Sequence, residues 1–403
     1  MSKVLFLNIP SHGHINPTLG LVNELHKQGE EITYFSNDDY REKIESAGAI
    51  FKSYGEQADF FVPKNKIPGK SILDDLLNRM EEVLHTCEGV IDYILKETKN
   101  DNFDYIIYGS MFPFGNVISQ ILNIPSISSF AVFAKPKVFE CGENSEQVSN
   151  HQVSKTYSEV KNRLKQKYNV EMPPLFDLFF NKGNLNIVYT SKYFVNNALE
   201  NYDESFLFIG PPVYKRKENI TFPFEKLEGK KVIYISLGTV FNNIDDNLYN
   251  TFFDAFGNTD VIVVMTAYKI DISKFNIPKN FIVKNYVPQL EVLKYVTVAI
   301  THGGMNSTSD LLYSNIPFVT IPIGADQRYI ASRVDELGAT IVLNKDKITP
   351  KLLREAVNEV CSNGEYMENI NKISESFKKA GGYKEAVDRI FKIKENTDCK
   401  RKG

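Results

Sequence analysis

Short, nearly unbroken apolar runs recur along this chain, each followed by a stretch with helical spacing. The first half offers "KVLFLNI" (3–9), "EITYFS" (31–36), "YIIYGS" (105–110), "SISSFA" (126–131) and "NIVYTS" (186–191). The second half offers "KVIYISLG" (231–238), "VIVVMT" (261–266), "FIVKNYV" (281–287), "VAITHGG" (298–304) and "FVTIPIG" (318–324). A strand that is apolar on both faces must be covered on both faces, and parallel sheets wrapped by helices provide that cover. Strands that alternate with helices make βαβ units. The expected fold is therefore α/β, doubly wound.

A chain of 403 residues exceeds one ordinary core, so two domains are expected. The break falls in "IGPPVYKRKENITFPFEKLEGKK" (209–231), where prolines, charges and turn formers cluster before a fresh strand. The expected layout is a first domain over 1–210, a linker over 211–230, a second domain over 231–380, and a terminal helix and tail over 381–403. A long amphipathic helix is expected over 71–97. Residues 136–183 carry little strand signal and are expected to be an inserted helical flap.

Charge and cysteine content narrow the function. With 47 basic and 50 acidic residues the formal net charge is −3, which provides no electrostatic attraction for nucleic acid or an anionic membrane. The first residues end at a proline too soon for a signal peptide, and no run approaches the ~18 apolar residues of a membrane span. The four cysteines, Cys87, Cys141, Cys361 and Cys399, are far apart with no metal-ligand spacing. Free thiols and a cytoplasmic location are expected, with neither nucleic acid nor membrane insertion.

Standard nucleotide signatures are missing. No GxGxxG follows a strand, and "PGKS" (68–71) lacks the first phosphate-loop glycine because Lys64 stands there. No DxD and no GxSxG occurs. The stretch "VAITHGGMNSTSDLLYSNIPFVTIPIGADQ" (298–327) is the most informative. A buried strand ends at Thr301, and Gly303 and Gly304 allow a sharp turn and close approach of a ligand. Asn306 or Ser307 is expected to cap a helix running to about Ser314. A strand, a small-residue turn and a helix N-terminus together present N–H groups and positive potential, which suits a diphosphate. His302 stands at the carboxyl end of the strand, where open α/β sheets bind ligands.

This stretch resembles the donor signature of the family 1 glycosyltransferases, of the bacterial macrolide and flavonoid glucosyltransferase type. "YVPQLEVL" (286–293) is similar to the family's W-x-P-Q element, "THGGMNSTSD" (301–310) to its H-C-G-W-N-S-x-x-E element, and "DQ" (326–327) to its acidic-Gln pair. "SLGTVF" (236–241) resembles the start of its donor domain, and "PSHGHINP" (10–17) its G-H-x-x-P element. The elements stand in family order. The resemblance implies a GT-B fold, in which two Rossmann-like domains face each other across a cleft, the first for acceptor and the second for donor. It implies natural-product glucosylation: transfer of glucose from UDP-glucose, with inversion, to a hydroxyl of a small hydrophobic acceptor, such as a flavonoid, another phenolic or a macrolide. No metal and no bound cofactor are implied, and a monomer or weak dimer is expected.

The resemblance also assigns roles. Tyr286 and Val287 would meet the base, and Gln289 and Asp310 the ribose. Thr239, His302, Gly304, Asn306 and Ser307 would hold the phosphates, and Asp326 and Gln327 the sugar hydroxyls. His14 aligns with the catalytic base, and His12 with the turn before it. Asn16 is expected as N-cap and Pro17 as first helical residue, which would set His14 just ahead of a positive helix end and favour neutral imidazole. The family's aspartate partner of that base is replaced here by Gly109. Two other readings follow: a nucleotide-sugar-binding protein with weak or no transfer activity, and a UDP-sugar epimerase on the same fold. Phe60, Phe61, Phe112, Phe114, Phe130 and Phe133 are candidates for an aromatic acceptor pocket.

Overall fold

The run "KVLFL" forms β1 (Lys3–Leu7), and its side chains divide between two cores. Leu5 and Leu7 join one cluster, and Val4 and Phe6 the other, as the two-residue period of a strand demands. All four are fully buried. In the computed structural model that describes residues 2–57, 72–134, 146–195, 200–214, 220–238, 246–324 and 326–402, the chain divides into two units. The first comprises Met1–Tyr189, Ala198–Arg216 and Gly381–Gly403; the second comprises Thr190–Asn197 and Lys217–Ala380.

The first unit holds a seven-stranded sheet. After β1 come β2 (Glu31–Ser36), β3 (Ile50–Ser53), β4 (Tyr105–Gly109), β5 (Ser126–Phe130), β6 (Leu185–Val188) and β7 (Phe206–Phe208). Their order is β3-β2-β1-β4-β5-β6-β7, with every pairing parallel. The order reverses between β1 and β4. At such a point successive crossovers leave in opposite directions, and a crevice opens beyond the carboxyl ends of the two strands.

Helix His12–Lys27 packs on one face of this sheet, where Ile15, Leu19, Val22 and Leu25 enter the core. It ends at Gly29, whose φ of +86° suits a residue without Cβ. Its start differs from the expectation at Asn16. The helix begins at His12, after an extended Ser11, and the N–H groups of His14 and Ile15 both reach the Ser11 carbonyl. Pro17 therefore lies inside the helix, and His14 belongs to its first turn. The terminal helix Gly382–Lys402 packs beside it, with Ala386, Val387 and Ile390 in the same core.

On the opposite face lies helix Ile72–Glu97, with Leu77, Met80, Leu84, Cys87 and Ile91 buried. The described residues of 136–183 are no separate flap. Helix Gln152–Tyr168 packs on Ile72–Glu97, and its Val153, Val160 and Leu164 belong to the same core.

The second unit repeats the plan with β8 (Val232–Ser236), β9 (Ile262–Thr266), β10 (Phe281–Lys284), β11 (Val298–Thr301), β12 (Phe318–Thr320) and β13 (Ile341–Val342). The order is β10-β9-β8-β11-β12-β13, again all parallel, with the reversal between β8 and β11. Residues Thr190–Asn197, placed by the sequence in the first domain, belong to this unit. The buried Phe194 ring meets Phe377 at a centroid distance of 5.6 Å, and Arg333 Nε donates to the Phe194 carbonyl at 2.8 Å.

Candidate active site

Each switch point carries one of the expected histidines. In the first unit, β1 runs into Asn8 and the loop to helix His12–Lys27, and β4 runs into Ser110. His14 is half-buried. Desolvation pushes its imidazole pKa down to about 4, because a charged ring there would lose water without gaining an opposite charge. At neutral pH it is therefore neutral imidazole. His12 packs edge-on against the Tyr40 ring, with centroids 5.1 Å apart.

Beneath His14 lies a polar network that the sequence reading missed. Asn8 is 1% exposed. Its Nδ2 donates to the His14 carbonyl at 2.9 Å and to the Tyr34 hydroxyl at 3.0 Å, and its Oδ1 accepts from the Ile9 N–H at 2.9 Å. The Tyr54 hydroxyl receives the Asn8 N–H at 3.1 Å and donates to the Asn8 carbonyl at 3.0 Å. Thr18 Oγ1 shares a 2.9 Å hydrogen bond with Tyr34. The signal for this network was a lone amide side chain at the end of an apolar strand. Gly109 is the last residue of β4. A Cβ there would come 2.3 Å from Asn8 Oδ1, so Asn8 fills the space that a side chain at 109 would enter.

The four aromatic candidates among the described residues are buried. Phe112, Phe114 and Phe130 are at most 1% exposed and belong to the core of the first unit, and Phe133 is 4% exposed. Phe112 stacks on Tyr54, and Phe130 lies against Phe206. They are consumed by packing between sheet and helices. Phe60 and Phe61 lie outside the described residues.

In the second unit His302 follows β11 and is 8% exposed. Its Nδ1 faces the Ser236 carbonyl at 3.3 Å, and its backbone N–H donates to the same oxygen at 3.2 Å. Burial pushes its pKa down to about 4, against a smaller upward effect of that carbonyl. Two glycines flank the ring. A Cβ on Gly238 would lie 2.6 Å from Nε2, and one on Gly304 2.3 Å. Gly238 and Gly303 have φ of +84° and +79°, which glycine adopts without strain. Helix Met305–Tyr313 begins directly after Gly304, earlier than the expected cap at Asn306 or Ser307, and no side chain caps it. Asn306 and Ser307 therefore stand in its first turn, half-buried, at the positive end of the helix.

Gln289 and Asp310 are brought together: Gln289 Nε2 donates to Asp310 Oδ2 at 2.7 Å. The buried Tyr234 of β8, not foreseen from sequence, donates its hydroxyl to Gln289 Oε1 at 3.0 Å. Tyr286 is half-buried and Val287 is buried. Gln327 is 3% exposed, and its Oε1 accepts from the N–H groups of Ile323 and Gly324 at 2.8 and 3.0 Å. That closes the loop after β12 and leaves the amide Nε2 to donate. Asp326 stands exposed at the N-cap of helix Gln327–Glu336. Thr239 lies outside the described residues.

Among the described residues no three His, Cys, Asp or Glu side chains stand close enough to hold a metal ion, and no helix is long and apolar enough to cross a membrane.

Known proteins resemble this chain in sequence and in fold. Residues 223–381 match the family described as UDP-glucoronosyl and UDP-glucosyl transferase. The chain is 36% identical over 406 residues to YojK of Bacillus subtilis, an uncharacterised UDP-glucosyltransferase, with 98% of this chain and 99% of that one covered. It is 32% identical over 391 residues to the NDP-glycosyltransferase YjiC of the same organism, with 96% of each covered. Among solved structures, that of the glycotransferase of kitacinnamycin superposes with a TM-score of 0.80 at 25% identity, covering 97% of this chain and 98% of that one.

Proposed function

This chain belongs to the family of UDP-glucoronosyl and UDP-glucosyl transferases, and on that premise we propose that it transfers glucose from UDP-glucose to a hydroxyl of a small hydrophobic acceptor, with His14 as general base. The name of the Bacillus subtilis UDP-glucosyltransferase supports glucose and UDP, and the name of the kitacinnamycin enzyme supports a natural-product acceptor.

In the proposed reaction, the acceptor oxygen attacks the anomeric carbon from the face opposite the diphosphate. The O–H proton passes to His14, the new C–O bond forms, and the bond to the diphosphate breaks, so UDP leaves with the electron pair and the anomeric centre inverts. Charge developing on the diphosphate meets the N-terminus of helix Met305–Tyr313 and His302. Gln289 and Asp310 meet the ribose, Tyr286 and Val287 the base, and Asp326 and Gln327 the sugar hydroxyls. Thr239 completes the phosphate set.

The observation that carries the reading is the place of His14, in the first turn of the helix that follows β1 at the first switch point, where desolvation lowers its pKa to about 4. A base must be unprotonated at working pH, and desolvation of the imidazole favours that form. The absence of a side chain at 109 removes the group that would stabilise the imidazolium, which favours a slow enzyme over a fast one.

The test is UDP-glucose with a flavonol acceptor, followed by mass spectrometry of the product. Glucosylated flavonol from wild type and none from His14→Ala are expected; His12→Ala is expected only to weaken transfer. Equal turnover in His14→Ala would overturn the base assignment. Binding of UDP-glucose with no turnover would establish the binding-only reading, and a new UDP-sugar formed without acceptor would establish the epimerase. Transfer in the presence of EDTA is expected to equal that without it.

A further inference from the structure

We infer that Asn8 is the positioning residue for His14, holding the base through its backbone from the space that a side chain at position 109 would occupy. The inference rests on the general-base reading of His14.

The parallel pairing of β1 and β4 sets Leu7 beside Tyr108, so the next residues, Asn8 and Gly109, lie at neighbouring carboxyl ends. There Asn8 has no freedom left. Its amide gives one hydrogen to the His14 carbonyl and the other to Tyr34, its Oδ1 receives the Ile9 N–H, and its own backbone is closed by Tyr54. A buried amide with every hydrogen bond made is rigid, and removing one member leaves others unsatisfied. The His14 carbonyl is part of the first turn, so this bond sets where that turn begins and how the His14 Cα–Cβ bond points. Tyr34 extends the hold to Thr18 one turn later, and the Thr18 hydroxyl in turn reaches the Ile15 carbonyl at 2.8 Å.

The arrangement explains the glycine. Any Cβ at 109 would sit 2.3 Å from Asn8 Oδ1, closer than non-bonded atoms approach, and would displace the amide. A side chain at 109 therefore requires Asn8 Oδ1 to move out of the bond that it makes here. The base here is oriented by a neutral donor acting on its backbone, from the space that a side chain at 109 would enter.

The experiment is a double-mutant cycle between Asn8→Ala and Gly109→Ala, read as kcat and donor KM for UDP release with a flavonol acceptor and with water alone. Each single change is expected to lower kcat about tenfold or more, since small misplacements of a catalytic group are costly, and to leave the KM for UDP-glucose within about twofold. Asn8→Asp keeps the size but cannot donate to the His14 carbonyl, so it is expected to fall with Asn8→Ala. The double variant is expected to be no worse than Asn8→Ala, because the new Cβ enters space already vacated. A purely structural role predicts loss of stability with kcat and KM of the folded fraction unchanged, and that result overturns the inference. Independent, additive losses overturn it too. Should Asn8→Ala fail to fold, Gly109→Ala carries the test alone, and wild-type kcat there sinks the idea. His14→Ala separates the two levels: release that does not depend on His14 removes the base reading, whereas His14-dependent release unaltered by Asn8→Ala and Gly109→Ala removes only the role of Asn8.

Discussion

The ring of Tyr383 occupies the space that a Cβ on Gly20 would need: such a Cβ would lie 2.1 Å from Tyr383 Cε2. The Tyr383 hydroxyl also donates to the Pro17 carbonyl at 2.9 Å, so the terminal helix grips the helix that bears His14 at two adjacent points. Alanine in a helix interior is normally better than glycine by about 1 kcal/mol. Here the forced shift of a packed ring costs about 1–3 kcal/mol and outweighs that gain. Gly20→Ala is therefore expected to lower the midpoint of urea unfolding. In a Tyr383→Ala background the clash is gone, and the same substitution is expected to raise it. No change of sign between the two backgrounds would show that the ring is not seated on Gly20.

Much of this packing follows from what the sequence displays. The central strands β1, β8 and β11 are legible because burial on both faces demands unbroken apolar runs. The strands missed are β3, β7 and β13, and all three lie at sheet edges. An edge strand pairs on one side only and needs less apolar length: β7 spans three residues, β13 spans two, and Ile50 of β3 is 52% exposed. Asn16 and Pro17 have helix-start chemistry, yet Ile15 is fully buried, and the helix that carries it into the core begins earlier, at His12.

The site was legible in its residue types and not in its contacts. The stretch 298–327 stood out through glycines and a histidine at a strand end. The pairs Asn8–Gly109 and Tyr234–Gln289 join residues far apart in sequence; the register of β1 on β4 brings the first together, and a side-chain hydrogen bond between β8 and the helix after β10 joins the second. Phe112, Phe114, Phe130 and Phe133 are buried for a physical reason. An aromatic residue near a strand end serves a core as well as a pocket, and composition does not separate the two.

Protonation sets a pH profile. The pKa of His14 near 4 means that acid inactivation is expected only below about pH 5, well under the ordinary histidine range. Stability moves in the same window. Both His14 and His302 have folded pKa values lowered to about 4, against about 6.5 in the unfolded chain. Between those values the unfolded chain binds more protons, so stability rises with pH. The contribution of these two imidazoles is full above about pH 6.5 and is lost as pH falls towards 4. Thermal melts of wild type and His302→Gln across pH 4–7 check this. Wild type is expected to lose more of its melting temperature on acidification than the variant does; parallel curves would show that His302 titrates normally.

Tyr234 fixes which way the Gln289 amide points. Its hydroxyl donates to Oε1, which turns Nε2 towards Asp310. Tyr234→Phe removes that anchor and leaves a carbonyl without its donor, a loss of about 1 kcal/mol or more. UDP binding by calorimetry is expected to weaken about fivefold, with kcat at saturating donor unchanged. Unaltered affinity would place the Gln289–Asp310 pair away from the nucleotide.

Gly304 offers the cleanest probe of His302. Its φ of −67° is open to any residue, unlike the +84° of Gly238, so a substitution there strains no backbone. Its added Cβ would still lie 2.3 Å from His302 Nε2 and push the ring away. Alanine also weakens the position as an N-cap, by about 1 kcal/mol, and that loss would confuse the result if it stood alone. Serine separates the two effects, because it restores the cap but keeps the Cβ. If His302 grips the diphosphate, both Gly304→Ala and Gly304→Ser are expected to bind UDP at least tenfold more weakly, with unfolding midpoints that differ in favour of serine. Rescue of UDP binding by serine would assign the effect to the helix end alone, and wild-type affinity in both variants would remove His302 from the phosphate site.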